Sequence, residues 1–247
     1  MKIAVCGAGA QGSIIARRLD EEAGVTALVC ADYDEKAARR VAAACRKARA
    51  VQVDARDPGE VLKLVRGADL LVNALPPDFN LTLMRAALEA GAHYQDLASG
   101  PVEDTDFVSA IKRQLELDAD FRKAGLAALM NTGSAPGLVS VLARNAADKL
   151  ESVRRILICV YDGVWTRRFI PFWWSPQTAF GDMAAEPVNF VDGAFQVVPT
   201  YHAPEMVDFR GLGKRRVVDH EHEEPVTFGL LAERAFKGCR NVGFKYG

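Results

Sequence analysis

The first 150 residues alternate short apolar runs with amphipathic stretches at nearly regular spacing. The apolar runs predict strands at residues 2–6, 25–30, 50–54, 69–75, 93–98 and 126–131. The amphipathic stretches predict helices at residues 10–20, 35–47, 80–90, 105–124 and 137–150, with a further helix opening at Asp57-Pro58. Alternation of strand and helix is typical of a parallel sheet whose crossover helices cover both faces. We therefore predict an α/β, doubly wound domain over residues 1–150.

The pattern changes near Glu151, where β-prone segments replace the regular alternation. Residues 153–162 and 215–219 predict strands, and Asp192-Gly193 lies between two β-prone runs as in a tight hairpin. We predict that residues 151–247 form a second, α+β domain with mainly antiparallel strands, which serves substrate binding and dimerisation. The aromatic run Phe172-Trp173-Trp174 is expected in the core of this domain or in a subunit contact.

The composition places the chain among soluble globular proteins and gives no sign of a nucleic-acid or membrane partner. It is 49% hydrophobic and 26% charged, with a formal net charge of -1. No segment has the pattern of a signal peptide or the length of a bilayer span. The five cysteines are scattered and form no CxxC pair, which argues against disulfides and a zinc site. A reduced, cytoplasmic location is the resulting prediction.

A glycine-rich turn joins the first predicted strand to the first predicted helix. Residues 7–12 read Gly-Ala-Gly-Ala-Gln-Gly, the G-x-G-x-x-G pattern of dinucleotide-binding Rossmann domains. Gly7 permits the tight turn, Gly9 lets the backbone approach a pyrophosphate, and Gly12 lets the helix pack on the strand. Together with Gln11 they are predicted to bind the cofactor, whose pyrophosphate would lie at the positive end of the helix.

An acidic residue follows the second predicted strand, at the distance expected for a ribose-binding group. This residue is Asp32, and a carboxylate there accepts hydrogen bonds from both ribose hydroxyls. It would also repel a 2′-phosphate, which favours NAD over NADP. Asp34 competes for the same role, but its position suits a helix cap better. The basic residues Lys36, Arg39 and Arg40 leave NADP open as the alternative cofactor.

A double proline follows the fourth predicted strand, in the segment Asn73-Ala74-Leu75-Pro76-Pro77. Ligands of such sheets bind beyond the carboxyl ends of the strands, and the prolines fix an extended backbone there. We predict that Asn73, Ala74 and Pro76 form a rigid wall beside the cofactor. A stiff loop without ligand contact explains the same residues equally well.

Taken together, these segments resemble the saccharopine dehydrogenase family, including its lysine 6-dehydrogenase-like members. The resemblance rests on GAGAQG, CADYDEKA, VNALPPDFN, AGAHYQDLA, NTGSAPGLVSVLA and HEEPVT, which follow one another in the family's order. It implies an NAD- or NADP-dependent oxidoreductase that transfers a hydride at the amine-bearing carbon of an amino acid or related amine. Family members look longer, so the second domain is expected to be shortened at its C-terminal end and to expose an apolar patch there.

A second class of function stays open beside this one. A module that binds or senses NAD(H) without catalysis would need the same glycine turn, and a shortened chain favours that interpretation. For the oxidoreductase, the expected partners are a small-molecule amine substrate and a second copy of the chain, which pairs through the sheet of the second domain.

The ends of the fifth and sixth predicted strands, expected at the same rim of the sheet, carry groups suited to an amino-acid substrate. Alternation places Tyr94 and Asp96 on one face of the fifth strand, with Asp96 near its carboxyl end. Asp96 is predicted to bind a substrate ammonium or to relay a proton, with Tyr94 beside the substrate; a loop-capping carboxylate is the alternative. Ser134 and Gly137 precede a helix whose backbone N–H groups would bind a carboxylate. Ordinary capping of that helix by Ser134 or Thr132 is the alternative there.

The densest ionisable cluster is the run of residues 220–224, His-Glu-His-Glu-Glu. On a strand, His220 and His222 share one face, and we predict that they are catalytic groups that face the substrate. A third ligand with zinc spacing is not evident, so no metal is predicted. A solvated or interfacial strand is the plainer interpretation of the same residues.

Overall fold

The computed structural model describes residues 1–102, 105–163, 165–168 and 176–247. It divides into two compact units, Met1–Gly133 and Ser134–Gly247, hereafter unit 1 and unit 2. The aromatic run Phe172-Trp173-Trp174 lies outside the described residues. Among the helices within the described ranges, none is both long and apolar enough to cross a membrane.

Unit 1 carries a parallel sheet with the strand order β3-β2-β1-β4-β5-β6. Its strands are β1 (Lys2–Cys6), β2 (Ala27–Asp32), β3 (Ala48–Gln52), β4 (Leu70–Asn73), β5 (His93–Asp96) and β6 (Ala128–Leu129). At the carboxyl end of β1, Cys6 lies opposite Ala31 of β2 and Asn73 of β4. The strand order reverses at β1, and such sheets bind ligands in the crevice at that point. The predicted doubly wound sheet is confirmed.

The helices of unit 1 follow the capping signals of the sequence. They are α1 (Ala10–Glu21), α2 (Glu35–Ala43), α3 (Pro58–Val65), α4 (Asn80–Ala90), α5 (Phe107–Leu115) and α6 (Asp118–Lys123), with a 3₁₀ turn at Pro77–Phe79. Asp34 caps α2 by accepting a hydrogen bond from Lys36 N at 2.9 Å, and Asp57 caps α3 through Gly59 N at 2.8 Å. Gly91 ends α4 in the left-handed conformation.

The prediction of one continuous helix over residues 105–124 is wrong, because α5 and α6 are separate. Leu117 N donates to the carbonyl of Gln114, three residues back, whereas Phe121 N donates to the carbonyl of Leu117, four residues back. The tighter bond interrupts the regular pattern at Leu117. Asp118 and Asp120 then lie in the first turn of α6, where the helix dipole favours acidic side chains.

The core of unit 1 lies between the sheet and its helices. Most of β1 and β4 is buried, as expected when helices cover both faces of the sheet. Cys6 and Cys30 are each 1% exposed and pack as small apolar side chains. Burial, with the nearby Asp32 charge, raises the pKa of Cys6 to about 12, and burial raises the pKa of Cys30 to about 11. Both thiols therefore stay protonated at neutral pH.

Unit 2 is built on a sheet with the order β10-β11-β12-β8-β9, and β7 pairs in parallel with β12. Its strands are β7 (Ile156–Val160), β8 (Val188–Val191), β9 (Ala194–Val197), β10 (Glu205–Phe209), β11 (Gly213–Asp219) and β12 (Val242–Tyr246). Its helices are α7 (Leu138–Asp148), α8 (Pro176–Ala184), α9 (Glu223–Leu230) and α10 (Ala232–Ala235). The predicted hairpin is confirmed, with positive φ at Asp192 (51°) and Gly193 (86°). The mainly antiparallel pairing is confirmed as well.

The last strand, β12, lies inside the sheet of unit 2. It pairs with β7 over its whole length and also with β8 and β11. Val242, Phe244 and Lys245 are each at most 2% exposed. The expected exposed apolar patch is therefore not found on this strand, because neighbouring strands cover it.

The two units divide between Gly133 and Ser134, earlier than the predicted boundary at 150/151. The reason is α7, which was predicted as the last helix of the first domain. Ala147 of α7 is 3% exposed and shares an apolar cluster with Val153 and Phe236 of unit 2. The apolar face of this helix therefore packs within unit 2.

Candidate functional site

The glycine turn of unit 1 connects β1 to α1 at the point where the strand order reverses. Gly7 has a φ of 103°, and a Cβ there would lie 2.7 Å from the Ala74 carbonyl oxygen. A Cβ at Gly12 would lie 1.8 Å from the Gly7 carbonyl oxygen. Both glycines are therefore required by the packing of the turn itself.

Gly9 has no such internal requirement. Its φ is −76°, which any residue adopts, and a Cβ built there meets nothing within 4 Å among the described residues. Gly9 is exposed and precedes α1, whose first turn carries no acidic residue and no side-chain cap. Open space over the backbone at the positive end of a helix is what a bound pyrophosphate needs. Packing among the described residues therefore does not explain a glycine at this position.

Asp32 lies at the end of β2 and is tied to the glycine turn. Its Oδ2 accepts a hydrogen bond from Ala8 N at 2.7 Å, and its Oδ1 accepts one from Asp34 N at 2.9 Å. The residue is 9% exposed. The carboxylate is thus held beside the turn, where a ribose-binding group is expected, while Asp34 serves as the cap of α2.

The residues that follow β4 take two different positions. Ala74 contacts the glycine turn: its N–H donates to the Cys6 carbonyl at 2.8 Å, and its Cβ would lie 3.3 Å from a Cβ at Gly12. Pro76 is exposed at the start of the 3₁₀ turn, and Gln11 is exposed in the first turn of α1. Asn73, in contrast, is 1% exposed. Its amide is engaged inside unit 1, which gives it a structural role instead of the predicted contact with the cofactor.

A buried polar network lies at the carboxyl ends of β4 and β5. Asn73 Nδ2 donates to Asn80 Oδ1 at 2.8 Å and to Tyr94 Oη at 3.2 Å. Asp96 Oδ2 accepts from Tyr94 Oη at 3.2 Å and from Gln114 Nε2 at 2.9 Å. Burial, together with the Asp96 charge, raises the pKa of Tyr94 well above its usual range. Tyr94 and Asp96 do share one face of β5, as alternation predicted, but that face is covered.

Asp96 also fixes the backbone that follows β6. Its Oδ1 accepts from Asn131 N at 2.7 Å, and its carbonyl oxygen accepts from Thr132 Oγ1 at 2.5 Å. Asn131 adopts a φ of 58°, and its Oδ1 lies 2.8 Å from Ser99 Oγ. The carboxylate of Asp96 is therefore a structural anchor of the loops at this rim. Sequence reasoning missed its partners because they come from helix and loop segments distant along the chain.

The start of α7 differs from the predicted cap. Gly137, with a φ of 128°, is the N-cap, and no side chain caps the helix, so the prediction of a Ser134 or Thr132 cap is wrong. The N–H of Val139 donates to the Ser134 carbonyl, and the N–H of Ser140 donates to the Gly137 carbonyl. Because these donors already have backbone partners, the helix start offers a poorer carboxylate site than expected.

His220 and His222 do not lie on a strand. β11 ends at Asp219, and His222 is already the N-cap residue of α9. The predicted shared strand face is wrong because the chain turns directly from β11 into a helix. His220 is half-buried, its Nδ1 lies 2.9 Å from the Glu221 carbonyl oxygen, and burial lowers its pKa.

His222 forms a compact group with two carboxylates, and we call His222, Glu223 and Glu224 the histidine–carboxylate trio. The His222 ring stacks on Phe244, with ring centroids 3.9 Å apart and planes inclined by 12°. Its Nδ1 lies 3.0 Å from Glu223 Oε2 and also contacts Glu224 Oε2. Burial alone would lower the pKa of His222, but the hydrogen bonds to the two carboxylates outweigh it and raise the pKa to about 10.

The doubly wound sheet of unit 1, its glycine turn and the placement of Asp32 define an NAD(P)-binding domain of the Rossmann class. The model of the saccharopine dehydrogenase NADP-binding domain matches residues 3–129, just over half of the 247 residues. The chain belongs to the saccharopine dehydrogenase family, as its sequence segments indicated.

Two curated proteins and one solved structure illustrate the similarity. Carboxynorspermidine synthase of Vibrio cholerae is 27% identical over 188 residues, which cover 72% of this chain and 45% of that protein. Carboxyaminopropylagmatine dehydrogenase of Synechocystis sp. is 32% identical over 144 residues, which cover 57% of this chain and 36% of that protein. The chain thus spans less than half the length of these relatives. The fold is similar to that of homospermidine synthase from Legionella pneumophila in complex with NAD, with a TM-score of 0.75, 15% identity, and coverage of 100% of this chain and 64% of that one.

Proposed function

We propose that this chain acts as an NAD(P)-dependent oxidoreductase that transfers a hydride at the amine-bearing carbon of an amino acid or related amine. The observation that carries the proposal is Gly9, whose glycine is explained by a ligand and not by packing. Family membership and the names of the relatives, a carboxynorspermidine synthase and a carboxyaminopropylagmatine dehydrogenase, support an amine compound as substrate.

NAD is the proposed cofactor in preference to NADP. The buried Asp32 carboxylate is fixed beside the glycine turn by Ala8 N and Asp34 N, so it cannot swing away from a 2′-phosphate without losing both bonds. Of the basic residues that could instead bind the 2′-phosphate of NADP, Arg39 is already paired with Glu35 at 2.6 Å. Repulsion between a fixed carboxylate and a phosphate weakens NADP binding.

Removal of a hydride from an amine also requires a group that accepts a proton. Among the predicted catalytic residues, His220 suits this role best, because its lowered pKa keeps the imidazole neutral at physiological pH. His222 Nδ1 is engaged by Glu223 and Glu224, which makes His222 a poorer candidate. Asp96 is engaged by its structural partners.

A module that binds NAD(H) without catalysis is the second candidate. The observation that favours it is the burial of Tyr94 and Asp96, since the groups of unit 1 expected to meet a substrate are bonded within the unit. The cofactor site is the same in both cases. Turnover therefore separates the two candidates, whereas cofactor binding does not.

The test is a spectrophotometric screen for NADH formation with NAD, lysine, saccharopine and polyamine precursors that carry a carboxylate. The oxidoreductase proposal expects turnover with one of them, a fall of about 100-fold or more in His220→Gln, and unchanged NADH affinity in that variant. His202→Gln, which changes an exposed histidine of the same unit, serves as the control. Tight NADH binding without turnover on any substrate would favour the second candidate.

A further inference from the structure

The histidine–carboxylate trio of unit 2 brings three metal-ligating side chains together. One nitrogen of His222 and one carboxylate oxygen from each of Glu223 and Glu224 lie within 4.8 Å of one another. Glu223 and Glu224 are 6% and 0% exposed, respectively. We propose that this trio binds one divalent transition-metal ion, with Zn²⁺ as the best fit.

An oxygen atom without a partner indicates that the trio lacks one component. Glu224 Oε2 contacts His222, but Glu224 Oε1 is buried and has no hydrogen-bond partner among the described residues. A buried carboxylate oxygen without a donor or cation is costly and is rarely left in that state. A cation bound by the trio through this oxygen would satisfy it.

The charge within the trio leads to the same conclusion. The Glu223 and Glu224 carboxylates carry two negative charges, and a divalent ion bound to them carries two positive charges. With a neutral His222 imidazole as the third ligand, the charges of the ion and the two carboxylates sum to zero. Buried charges are tolerated when they are paired or bound to metal, and the metal-bound trio meets that condition.

The spacing of the donor atoms suits a small ion. Ligands that bind Zn²⁺ at about 2.0–2.2 Å in a tetrahedral arrangement lie roughly 3.4 Å apart. His222 Nδ1 and Glu223 Oε2 are 3.0 Å apart, so small side-chain shifts would make room for the ion. The stacking of the ring on Phe244 holds the plane of the imidazole.

The donor set also selects among metals. One imidazole nitrogen and two carboxylate oxygens favour Zn²⁺, Mn²⁺ or Co²⁺, whereas Mg²⁺ and Ca²⁺ prefer sites made of oxygen atoms. Three protein ligands leave a fourth position for water or for an oxygen or nitrogen atom of a bound molecule. The proposed site therefore has a coordination position that a ligand can occupy.

The proposal is tested by titrating the full chain, freed of metal by a chelator, with ZnCl₂ in a calorimeter. We expect one Zn²⁺ per chain, a rise in Tm on binding, and no competition from Mg²⁺. Co²⁺ should give visible d–d bands without the sulfur-to-cobalt band of a cysteine site. Absence of stoichiometric Zn²⁺ binding by the unmodified chain, or a sulfur-to-cobalt band, would overturn the proposal.

Variants locate the ion. Glu224→Gln and His222→Asn should each weaken Zn²⁺ binding by at least about tenfold, whereas Glu233→Gln, at an exposed glutamate of α10, should not. Affinity unchanged in the two trio variants would place the ion elsewhere and refute the proposal. A diamine such as 1,3-diaminopropane that raises Tm in a Glu224-dependent manner, without Zn²⁺ binding, would make this an ammonium site and refute the proposal as well.

Discussion

Replacement of Asp96 by asparagine separates a structural role of this side chain from a catalytic one. The variant keeps the size of the side chain and removes its charge. In the structure, Oδ1 accepts from Asn131 N, while Oδ2 accepts from Tyr94 Oη and Gln114 Nε2. An asparagine can keep only one of these two oxygens as an acceptor. If its oxygen stays on Asn131 N, its NH₂ group faces the NH₂ group of Gln114.

The loss of stability in Asp96→Asn follows from the hydrogen bonds that are lost. The Tyr94 hydroxyl can rotate and accept from the new amide, so the main loss is the hydrogen bond that Gln114 Nε2 donates to Asp96. The Gln114 amide cannot simply flip, because its Oε1 already accepts from Ser99 Oγ at 2.8 Å. A buried donor left without a partner costs about 1–3 kcal/mol, and the lost charged hydrogen bond adds a comparable amount. We expect Asp96→Asn to lower the free energy of unfolding by about 2–4 kcal/mol, which corresponds to a fall in Tm of roughly 5–15 °C.

The assay is urea unfolding followed by far-UV circular dichroism, with NADH affinity and turnover measured on the same preparations. Asp120→Asn, at an exposed position of α6, is the matched control and should change stability by less than about 0.5 kcal/mol. If Asp96→Asn unfolds like the parent while turnover falls by orders of magnitude, the structural interpretation is refuted, and Asp96 returns as a catalytic group.

Two further predictions concern the cofactor site and the thiols. Asp32→Asn removes the charge that disfavours a 2′-phosphate. Calorimetric titration should therefore show a smaller ratio of NAD affinity to NADP affinity in this variant. An unchanged ratio would show that Asp32 does not select the cofactor. Iodoacetamide at about pH 8 should label Cys45 before Cys6 and Cys30. Cys6 and Cys30 are buried, and burial raises the pKa of these two thiols most. Peptide mapping by mass spectrometry gives the order of labelling. Early labelling of Cys6 would contradict the tight packing of β1.

The fold of unit 1 could be predicted because each of its elements carries a local signal. Asp34 and Asp57 mark helix starts, Gly91 marks a helix end, and the glycine turn marks the first crossover. The hairpin at Asp192-Gly193 is equally local, since two adjacent residues with positive φ determine it. Signals of this kind do not depend on distant parts of the chain.

The polar network could not be predicted, because its members come from distant elements. Alternation along β5 places Tyr94 and Asp96 on one face, but it does not reveal which element covers that face. Gln114 of α5 donates to Asp96, while Asn73 of β4 donates both to Tyr94 and to Asn80 of α4. The same limitation explains the error in the predicted boundary between the units. The apolar stripe of α7 indicates that the helix is buried, but it does not indicate which unit the helix packs against.

The sequence around the histidine–carboxylate trio also fits the start of a helix, and not only the predicted strand. Glu223 and Glu224 are followed by Pro225, and acidic residues with a proline are typical of the first turn of a helix. A helix start places the consecutive residues His222, Glu223 and Glu224 together. A strand instead places His220 and His222 on one face.

Titration with NADH shows whether unit 1 binds the dinucleotide at its glycine turn. Gly9→Val fills the open space over the backbone without meeting any described atom within 4 Å of its Cβ, and Gly24→Val makes the same change at another position with no such neighbour. We expect the unmodified chain and Gly24→Val to bind NADH equally well, while Gly9→Val keeps a normal circular dichroism spectrum and loses binding. Undiminished NADH binding by folded Gly9→Val would show that the dinucleotide does not bind at the glycine turn.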